Sequence, residues 1–396
     1  MPILVINAGS SSLKLQVIDL LHETVIHQSI IERIGEHTGS LTWQNAPTTE
    51  QHCIAANYPN HGDALSAAMG VLTSQLALTN VQISAVGHRV VHGGAIFHSA
   101  TPIDATVLKT IRSLDSLAPL HNPPSVLGIE AALALLPGVP HVAVFDTAFH
   151  QTLPEHSYRY AIPEEWYVRH GVRRYGFHGT SHRYLAHAAA QLLNKPLNQC
   201  NLITLHLGNG ASAAAIAHGR SIDTSMGFTP LEGLIMGTRS GDIDPAIPMH
   251  LTAQATTLDA IEHALNYESG LQGLCGSHDM REILQRAERG DVRATLAVKM
   301  YCYRIKKYLG AYIAILGPVD ALIFSGGVGE NAAAIREHVT QGLAHMGIRI
   351  DTAQNNSHII DAADISAAGA AIRTLVIRTH EELEIARQTH RCALRA

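Results

Sequence analysis

The chain has 396 residues, of which 46% are hydrophobic and 15% are charged, and its formal net charge is −5. This length and apolar content predict two or three domains with a large core and exclude a mostly disordered chain. The slightly acidic sequence has no block of like charges, so it lacks the clustered basic surface that binds nucleic acids.

Cysteine and targeting patterns indicate a cytoplasmic protein. The five cysteines are widely spaced and form no CxxC pair, which is typical of reduced thiols. The N-terminus shows no charged-then-apolar signal peptide. The most apolar helical stretch, residues 292–316, contains Lys299, Arg304, Lys306 and Lys307, which argue against a membrane span.

Histidine is unusually frequent, with 26 copies, and two pairs are spaced four residues apart. These are His88 with His92, and His178 with His182. Neither pair carries the glutamate of the HExxH zinc motif, and the glycine of HGTSH makes one helix through His178 and His182 doubtful. We therefore predict that most histidines are polar residues of the core or surface.

The first predicted element is a β-hairpin in LVINAGSSSLKLQVID, residues 4–19. Apolar residues at every second position after Lys14 indicate a strand rather than the helix that a P-loop requires. A glycine, three serines and a lysine at the turn suggest a phosphate-binding site. A serine-rich surface turn is the alternative that the residues alone leave open.

The next elements alternate between strands and helices, which indicates an α/β protein. We predict a strand entering a glycine loop (85–94), a helix (125–136), a buried strand that ends near Asp146 (141–149), and a helix capped by Thr180 or Ser181 (180–194). A strand–turn–strand unit follows (201–223). After it we predict a strand ending in a glycine loop (320–331), and then a helix (332–346).

Two segments share one layout, although their identity is weak. Around Gly9 and around Gly210, an apolar strand leads into an asparagine-containing glycine turn, and a serine and a second apolar strand follow. A true repeat would make the chain two related halves, each with a hairpin facing phosphate, and would place a nucleotide between them. Coincidence is the alternative. A boundary near residue 150 is expected from the turn HQTLPEHS.

Several polar residues stand beside glycine or proline turns. Arg89 and Arg239 lie in glycine-rich loops, where a guanidinium can bind carboxylate or phosphate. His121 lies in the stiff segment APLHNPP, and His178 precedes a predicted helix N-terminus. Asp146 stands at a strand end. Structural ion pairs, core histidines and a turn cap are the respective alternatives.

These segments together resemble the acetate kinase family. VINAGSSSLK matches its first signature, and DTSMGFTPLEGLIMGTRSGDIDP (223–245) matches its second. GHRVVHGG, LHNPP, FDTAFH, YGFHGTSH, HLGNGAS, SGGVGEN and EELEIA follow the family's order. The resemblance runs from residue 3 to about residue 390.

The resemblance implies an α/β fold of duplicated actin-like, sugar-kinase-like and heat-shock-chaperone-like (ribonuclease H-like) domains, with a nucleotide cleft between them. It implies a first domain over 1–150, completed by roughly 380–396, and a second over 151–380. It also implies reversible phosphoryl transfer from ATP to acetate or another short carboxylate, with Mg²⁺ or Mn²⁺, in a homodimer. Neither nucleic acid nor membrane is an expected partner.

Site residues follow from the same resemblance. Asn7 and Glu381 match a magnesium-associated pair, and Arg89 matches the residue that binds the substrate carboxylate. Asp146 matches the catalytic aspartate. His178 and Arg239 match transition-state stabilisers, with His121 nearby. The positions that match an apolar substrate pocket are Val91, Leu120, Phe177 and Pro230. The positions that match nucleotide-binding segments are Ser10, Ser12, Lys14, His206, Leu207, Gly208, Asn209, Gly210, Asp279, Met280, Arg281, Gly327, Val328, Gly329, Glu330 and Asn331.

The sequence leaves three functional interpretations open. The first is an acetate kinase, and the second is a relative that prefers propionate. Val91 is bulky enough to crowd a propionate chain, which favours acetate. The third is a non-metabolic ATPase like actin or a chaperone, which would not need a second anion site. For Asp146, a positioning role and a general-base role are both considered. An acetate nucleophile is already ionised at pH 7, so the positioning role is favoured.

Overall fold

The structure, a computed structural model, describes residues 1–9, 11–46, 50–79, 81–119 and 121–394, and the side chains of 76–79 are not described. The predicted site residues Ser10 and Leu120 therefore lie outside the described residues. The chain divides into two compact units. Unit 1 comprises Met1–Phe149 and His380–Ala396, and unit 2 comprises His150–Thr379.

The strands form two sheets. In chain order the strands are β1 Pro2–Ala8, β2 Ser12–Asp19, β3 Thr24–Glu32, β4 Gly39–Asn45, β5 Gln51–Ala56, β6 Ala85–Val90, β7 Thr101–Pro102, β8 His141–Phe145, β9 Asn201–Leu207, β10 Ala211–Ala217, β11 Arg220–Thr224, β12 Ala321–Ser325, β13 Ala362–Asp364 and β14 Arg373–Ile377.

The helices cover the sheets. In chain order they are α1 His61–Thr79, α2 Ala105–Ser113, α3 Asn122–Leu135, α4 Glu155–Tyr158, α5 Glu164–His170, α6 Gly179–Leu192, α7 Ala246–Ala253, α8 Leu258–Tyr267, α9 Gly270–Cys275, α10 Met280–Glu288, α11 Val292–Leu316, α12 Gly326–Asn331, α13 Ala333–Thr340, α14 Thr352–Asn355 and α15 Glu381–Ala393. Short 3₁₀ segments lie at Asp115–Leu117, Ala148–Thr152, Leu197–Gln199 and Ala344–Met346. Within the described ranges, we find no helix with the length and apolarity needed to cross a membrane.

Unit 1 is built on an eight-stranded sheet in the order β5-β4-β3-β2-β1-β6-β8-β7. Its central strand β1 is buried on both faces, which explains its continuous apolar sequence. Leu4 and Ile6 belong to the core cluster that includes α1 residues such as Leu65. Ile3 and Val5 belong to a separate cluster that includes Ile385 of α15. The C-terminal helix is thus part of the first unit's core.

Unit 2 is built on a six-stranded sheet in the order β11-β10-β9-β12-β14-β13. The 25-residue helix α11 contacts β10, whose alanines at 211, 213, 214 and 215 are fully buried. Small side chains let a long helix approach the sheet closely.

The two sheets repeat one pattern. In each, a hairpin strand pairs antiparallel with the next strand and parallel with a later one: β1 with β2 and β6, and β9 with β10 and β12. A third antiparallel strand follows in each, β3 or β11, and in both cases the register shifts. A second parallel strand follows in each, β8 or β14. The similarity between the Gly9 and Gly210 segments therefore coincides with equivalent places in two sheets.

Two local predictions are wrong. Residues 326–331 form helix α12 instead of a glycine loop, and the helix expected over 332–346 ends at Thr340. Gly326 adopts φ +75°, and a Cβ there would lie 2.8 Å from the backbone of Leu207. Only glycine allows the chain to turn from β12 directly into a helix at this point.

The start of α6 is also different from the prediction. Its N-cap is His178, at φ +55°, and the helix begins at Gly179. Thr180 and Ser181 are buried within the first turn instead of capping it. His182 lies inside the same helix, so the doubt raised by the glycine of HGTSH is resolved: His178 caps the helix and the glycine is its first residue.

Candidate active site

An ion pair between Arg89 and Asp146 forms the centre of the site in unit 1. Arg89 lies near the end of β6, and Asp146 directly follows β8, its parallel neighbour, so both reach one sheet edge. Arg89 Nε lies 3.2 and 3.1 Å from the two carboxylate oxygens, and Nη2 lies 2.6 Å from Oδ2. Burial opposes the charge of Arg89, but Asp146 and Glu381 outweigh it and raise the Arg89 pKa.

The hairpin and the C-terminal helix add polar groups beside this pair. Asn7 faces Lys14 across the hairpin, and Asn7 Oδ1 accepts a hydrogen bond from Arg89 Nη1 at 3.2 Å. Lys14 Nζ lies 2.5 Å from Glu382 Oε1 in the first turn of α15. Desolvation raises the pKa of the neighbouring Glu381 to about 7, although the charge of Arg89 opposes the rise. Unit 1 thus gathers Asn7, Lys14, Arg89, Asp146 and Glu381 in one region.

The donors in this region suit a magnesium ion. Asn7 offers an amide oxygen and Glu381 a carboxylate, and Mg²⁺ prefers such oxygen ligands, with water and substrate phosphates completing its shell. The positive charge would also offset the repulsion from Asp146 that helps to raise the Glu381 pKa. Across the described ranges, no group of three His, Cys, Asp or Glu side chains is arranged as a metal cage. Mg²⁺ does not need one, because it usually binds through one or two carboxylates.

In unit 2, two donor side chains point to the same glycine. The turn between β9 and β10 is closed by a 2.9 Å hydrogen bond from Gly208 N to Gly210 O. A Cβ placed on Gly210 would lie 3.3 Å from Arg239 Nη2 and 3.4 Å from His178 Nε2. Glycine at this position therefore leaves space directly in front of both donors.

Arg239 has no acidic partner among the residues that the structure describes. It is half-buried, its Nη1 donates to the carbonyl of Pro230 at 2.7 Å, and burial lowers its pKa. An arginine keeps its charge in proteins, so this guanidinium is a desolvated cation without a carboxylate. A bound anion would supply the missing charge.

Packing of the second signature against the glycine turn holds Arg239 in place. Gly237 N donates to the Asn209 carbonyl at 2.9 Å, and a Cβ on Gly237 would lie only 1.8 Å from Asn209 Oδ1. Asn209 itself is exposed. The glycines of MGTRSG therefore bring the loop into direct contact with the turn.

His178 is oriented by two contacts. Its Nδ1 lies 2.8 Å from Ser212 Oγ of β10, and its ring stacks on His206 with centroids 4.3 Å apart. His206 is in turn bonded through Nδ1 to Ser181 Oγ at 2.8 Å. The positive φ of His178 is uncommon for a residue other than glycine, and such conformations cluster at functional sites.

In the other segments matched to nucleotide binding, some polar side chains already form ion pairs or hydrogen bonds within the protein. Asp279 is the N-cap of α10 and pairs with exposed Arg281 at 2.6 Å, and hydrogen bonds from Arg281 lower the Asp279 pKa to about 2. Glu330 Oε1 accepts hydrogen bonds from Gly326 N at 2.9 Å and Thr379 N at 3.1 Å. Its carboxylate therefore connects α12 to the chain after β14.

The predicted pocket residues have varied surroundings. Val91, just after β6, and Phe177, just before His178, are 8% and 2% exposed. Pro230 contributes the carbonyl that holds Arg239. His121 precedes α3, and its carbonyl accepts a hydrogen bond from Ser125 Oγ at 3.0 Å.

Sequence reasoning missed residues that support the site from behind. Arg336, 2% exposed, donates to the carbonyls of Gly329 and Glu330 at 3.0 and 2.9 Å and to Asn355 Oδ1 at 2.7 Å. Ser212 and His182 lie behind His178. The sequence did contain a signal for Ser212. It follows the Gly210 turn, and a serine also follows the Gly9 turn.

Comparison with known proteins identifies the family of the chain. Residues 2–387 match the model of the Acetokinase family. The chain is 48% identical to the acetate kinase of Heliobacterium modesticaldum, with 99% of both chains covered. It is similar to the crystal structure of Porphyromonas gingivalis acetate kinase (TM-score 0.93, 42% identity, 99% of both chains covered). It is also similar to that of a propionate kinase from Francisella tularensis (TM-score 0.93, 40% identity, 98% of this chain and 99% of that one).

These similarities extend over nearly the whole chain and include both units. The predicted fold class, a duplicated α/β protein of the actin and sugar-kinase type, is confirmed. The chain belongs to the acetokinase family.

Proposed function

We propose that this chain catalyses reversible transfer of the γ-phosphoryl group of ATP to acetate, giving ADP and acetyl phosphate. The observation that carries the proposal is the half-buried Arg239, which lacks a carboxylate partner among the described residues and lies with His178 Nε2 beside Gly210. Two nitrogen donors that lie beside the same glycine turn suit the spread negative charge of a transferring phosphoryl group. A nucleotide-switched scaffold has no need for this arrangement, and family membership favours the kinase.

The main obstacle to this reaction is electrostatic. Acetate and the γ-phosphoryl group are both anions, so they repel each other as they approach. We assign Arg89 to the acetate carboxylate, and Arg239 and His178 to the phosphoryl oxygens. The acetate oxygen attacks phosphorus as the bond to the ADP oxygen breaks, in line and without a covalent enzyme intermediate.

Asp146 is assigned a positioning role. Both its oxygens accept hydrogen bonds from Arg89, and the aspartate is 1% exposed. Ionised acetate needs no base, whereas a guanidinium that must bind a carboxylate benefits from a fixed orientation. The bidentate pair therefore supports orientation of Arg89 over proton removal.

Magnesium is the proposed metal, with manganese as a substitute, and Asn7 and Glu381 would hold it. Bound there, it would supply charge neutralisation of the nucleotide phosphates. Lys14 and Ser12 are assigned to the phosphates, and the segments at 206–210, 279–281 and 327–331 to the rest of the nucleotide.

The most direct test supplies ATP, Mg²⁺, acetate and hydroxylamine to the purified full chain. Formation of acetohydroxamate, dependent on both ATP and acetate, is the expected result. Release of phosphate without hydroxamate would indicate an ATPase without carboxylate transfer and would refute the proposal. Omission of Mg²⁺, with and without Mn²⁺, tests the metal in the same assay.

Propionate is the second candidate substrate, because a solved structure 40% identical to this chain is that of a propionate kinase. One methylene group in an apolar pocket changes kcat/KM by only about 10- to 200-fold. Val91 is buried and branched, so we expect acetate to be preferred. Comparing kcat/KM for the two acids decides between them, and a higher value for propionate would reverse this order.

A homodimer is proposed as the assembly, with the cytoplasm as its location. Helix α11 carries an exposed apolar stripe at positions 292, 296, 300 and 303, where Val292 is 80% and Tyr303 66% exposed. A contiguous exposed apolar surface is typical of a protein interface. Sedimentation equilibrium of the wild type and of Leu296→Glu tests this assignment. An unchanged molecular mass in the variant would exclude the stripe as the dimer interface.

A further inference from the structure

Unit 2 contains a chain of hydrogen bonds that ends on His178. Thr204 Oγ1 lies 2.7 Å from His182 Nδ1, His182 Nε2 lies 2.8 Å from Ser212 Oγ, and Ser212 Oγ lies 2.8 Å from His178 Nδ1. Thr204, His182 and Ser212 are each 0% exposed. Two adjacent strands, β9 and β10, and helix α6 supply these side chains, so secondary structure fixes their spacing.

His182 is neutral at physiological pH. Burial lowers its pKa well below the ordinary value, and the nearby rings of His150 and His206 oppose a positive charge there. A neutral imidazole has one N–H donor and one acceptor nitrogen. His182 therefore donates a hydrogen bond at one end of its ring and accepts one at the other.

Ser212 has one hydroxyl proton for two histidine nitrogens. If it donates to His178 Nδ1, it must accept a hydrogen bond from His182 Nε2–H. If it donates to His182 Nε2, it must accept one from His178 Nδ1–H. The first order leaves the His178 proton on Nε2. The second leaves Nε2 without a proton unless His178 is cationic.

Thr204 decides between the two orders. Within the described part of the chain, its hydroxyl forms a hydrogen bond with His182 Nδ1 and with no other side-chain or carbonyl group. In the first order, Thr204 donates to His182 Nδ1, and the protons of Thr204, His182 and Ser212 each have an acceptor. In the second, His182 donates to Thr204, and the buried Thr204 proton has nowhere to go. Buried donors without acceptors are rare because their desolvation is not compensated.

We propose that Thr204, His182 and Ser212 form an ordered hydrogen-bond relay that keeps His178 neutral with its proton on Nε2. Nε2 is the atom that faces the space beside Gly210 and Arg239 Nη2. The relay residues are positioning residues, since they act through His178. This inference rests on the proposed function and specifies the donor that it requires: His178 offers an N–H to a phosphoryl oxygen without changing its charge.

The protonation state is testable without substrate. In full-length protein with ¹⁵N-labelled histidine, long-range ¹H–¹⁵N spectra distinguish a pyrrole-type nitrogen from a pyridine-type nitrogen. Signals of His178 are assigned by their loss in His178→Gln. We expect a pyrrole-type Nε2 and a pyridine-type Nδ1 at pH 7. A proton on Nδ1, or on both nitrogens, would overturn the proposal whatever reaction the chain catalyses.

Kinetics test the effect on transfer. Ser212→Ala removes the donor to His178 Nδ1, so we expect kcat to fall about 10- to 100-fold, while KM for ATP and acetate changes by less than about threefold. Because this variant can also disturb β10, the pair Thr204→Val and Thr204→Ser provides a second measurement. Valine keeps the shape without the hydroxyl, and serine keeps the hydroxyl. We expect a lower kcat and a mixed His178 tautomer only in Thr204→Val.

Thr374→Val is the matched control. Thr374 is also a fully buried strand threonine of the unit 2 sheet, but its hydroxyl has no hydrogen-bond partner in the structure as described. We expect its kinetics and its His178 tautomer to match the wild type. Equal losses of kcat in Thr204→Val and Thr374→Val would show that the substitutions act through packing, and would overturn the relay. Absence of acyl phosphate in the wild type would instead refute the proposed function, and the spectra would still decide the relay.

Discussion

Arg89 and Arg239 are both half-buried arginines in glycine-rich segments, yet their surroundings are opposite in charge. Arg89 is held by both oxygens of Asp146 and lies near Glu381 and Lys14. Arg239 bonds to a backbone carbonyl, lies with His178 beside Gly210 and has no carboxylate partner in the described ranges. The residues around Arg89 in unit 1 therefore suit binding of a cation together with a carboxylate, whereas those around Arg239 in unit 2 suit binding of an anion. The same sheet pattern thus carries two complementary electrostatic environments.

The strongest test of this comparison is Arg239→Ala. An arginine that stabilises the transferring phosphoryl group contributes about 10³ to 10⁵ in kcat. We expect kcat to fall on the order of 10³, with ATP affinity changed by only a few-fold, as measured by steady-state kinetics and calorimetry. Arg373→Ala removes an exposed arginine of the same unit, which pairs with Asp364, and should leave kcat unchanged. Near-normal turnover of Arg239→Ala would remove Arg239 from the chemistry.

Asp146→Asn tests the opposite environment. The amide can still accept one hydrogen bond from Arg89 but loses the charge, so we expect kcat/KM for acetate to fall about 10²-fold. Recovery of activity at raised Mg²⁺ would support a positioning role. Loss of kcat without any change in KM for acetate, and without recovery at raised Mg²⁺, would favour the general-base alternative.

Gly210→Ala tests the space in front of the two donors. The added methyl group would lie 3.3 Å from Arg239 Nη2 and 3.4 Å from His178 Nε2, so both donors must shift by a few tenths of an ångström. We expect about a tenfold loss of kcat, because misplacement of catalytic groups by 1 Å costs about 10²-fold. Gly310→Ala, in α11, is the control and should keep full activity, because the new methyl group would meet nothing within 4 Å beyond its neighbours and the backbone of its own helix.

The pH dependence of stability compares the histidines of the two units. Burial lowers the pKa of His88 in unit 1 to about 3 and that of His150 in unit 2 to about 4. The unfolded chain takes up these protons below pH 6.5, while the native state does not, so the free energy of unfolding falls as pH drops from 6.5 towards these values. At pH 5 each such histidine should cost about 2 kcal/mol.

Urea unfolding at pH 7, 6 and 5 measures this loss. His88→Leu should weaken the pH slope, whereas substitution of the exposed His98 should not change it. An equal slope in wild type and His88→Leu would show that His88 does not remain neutral in the folded state.

Some of these features follow from local sequence. The β1–β2 hairpin, strands β6 and β8, and the 25-residue helix α11 were predictable, because alternation and helical spacing are local patterns. The family followed from long signatures in fixed order, and the predicted site residues rest on the same signatures. The errors came where tertiary contacts act. At Gly326 the chain enters α12 with a positive φ and in close contact with the Leu207 backbone. His178 is the N-cap of α6, and its ring is bonded to Ser212.

The sequence by itself predicted which residues carry the chemistry and that two similar hairpins lie beside them. Only the tertiary structure decided how those residues are charged and paired. Asp146 and Arg89 are 57 residues apart, and they meet because β6 and β8 are parallel neighbours. Thr204, His182 and Ser212 meet because a hairpin and a helix pack together, and hydrogen-bond partners brought together by packing leave no periodic signal in the chain.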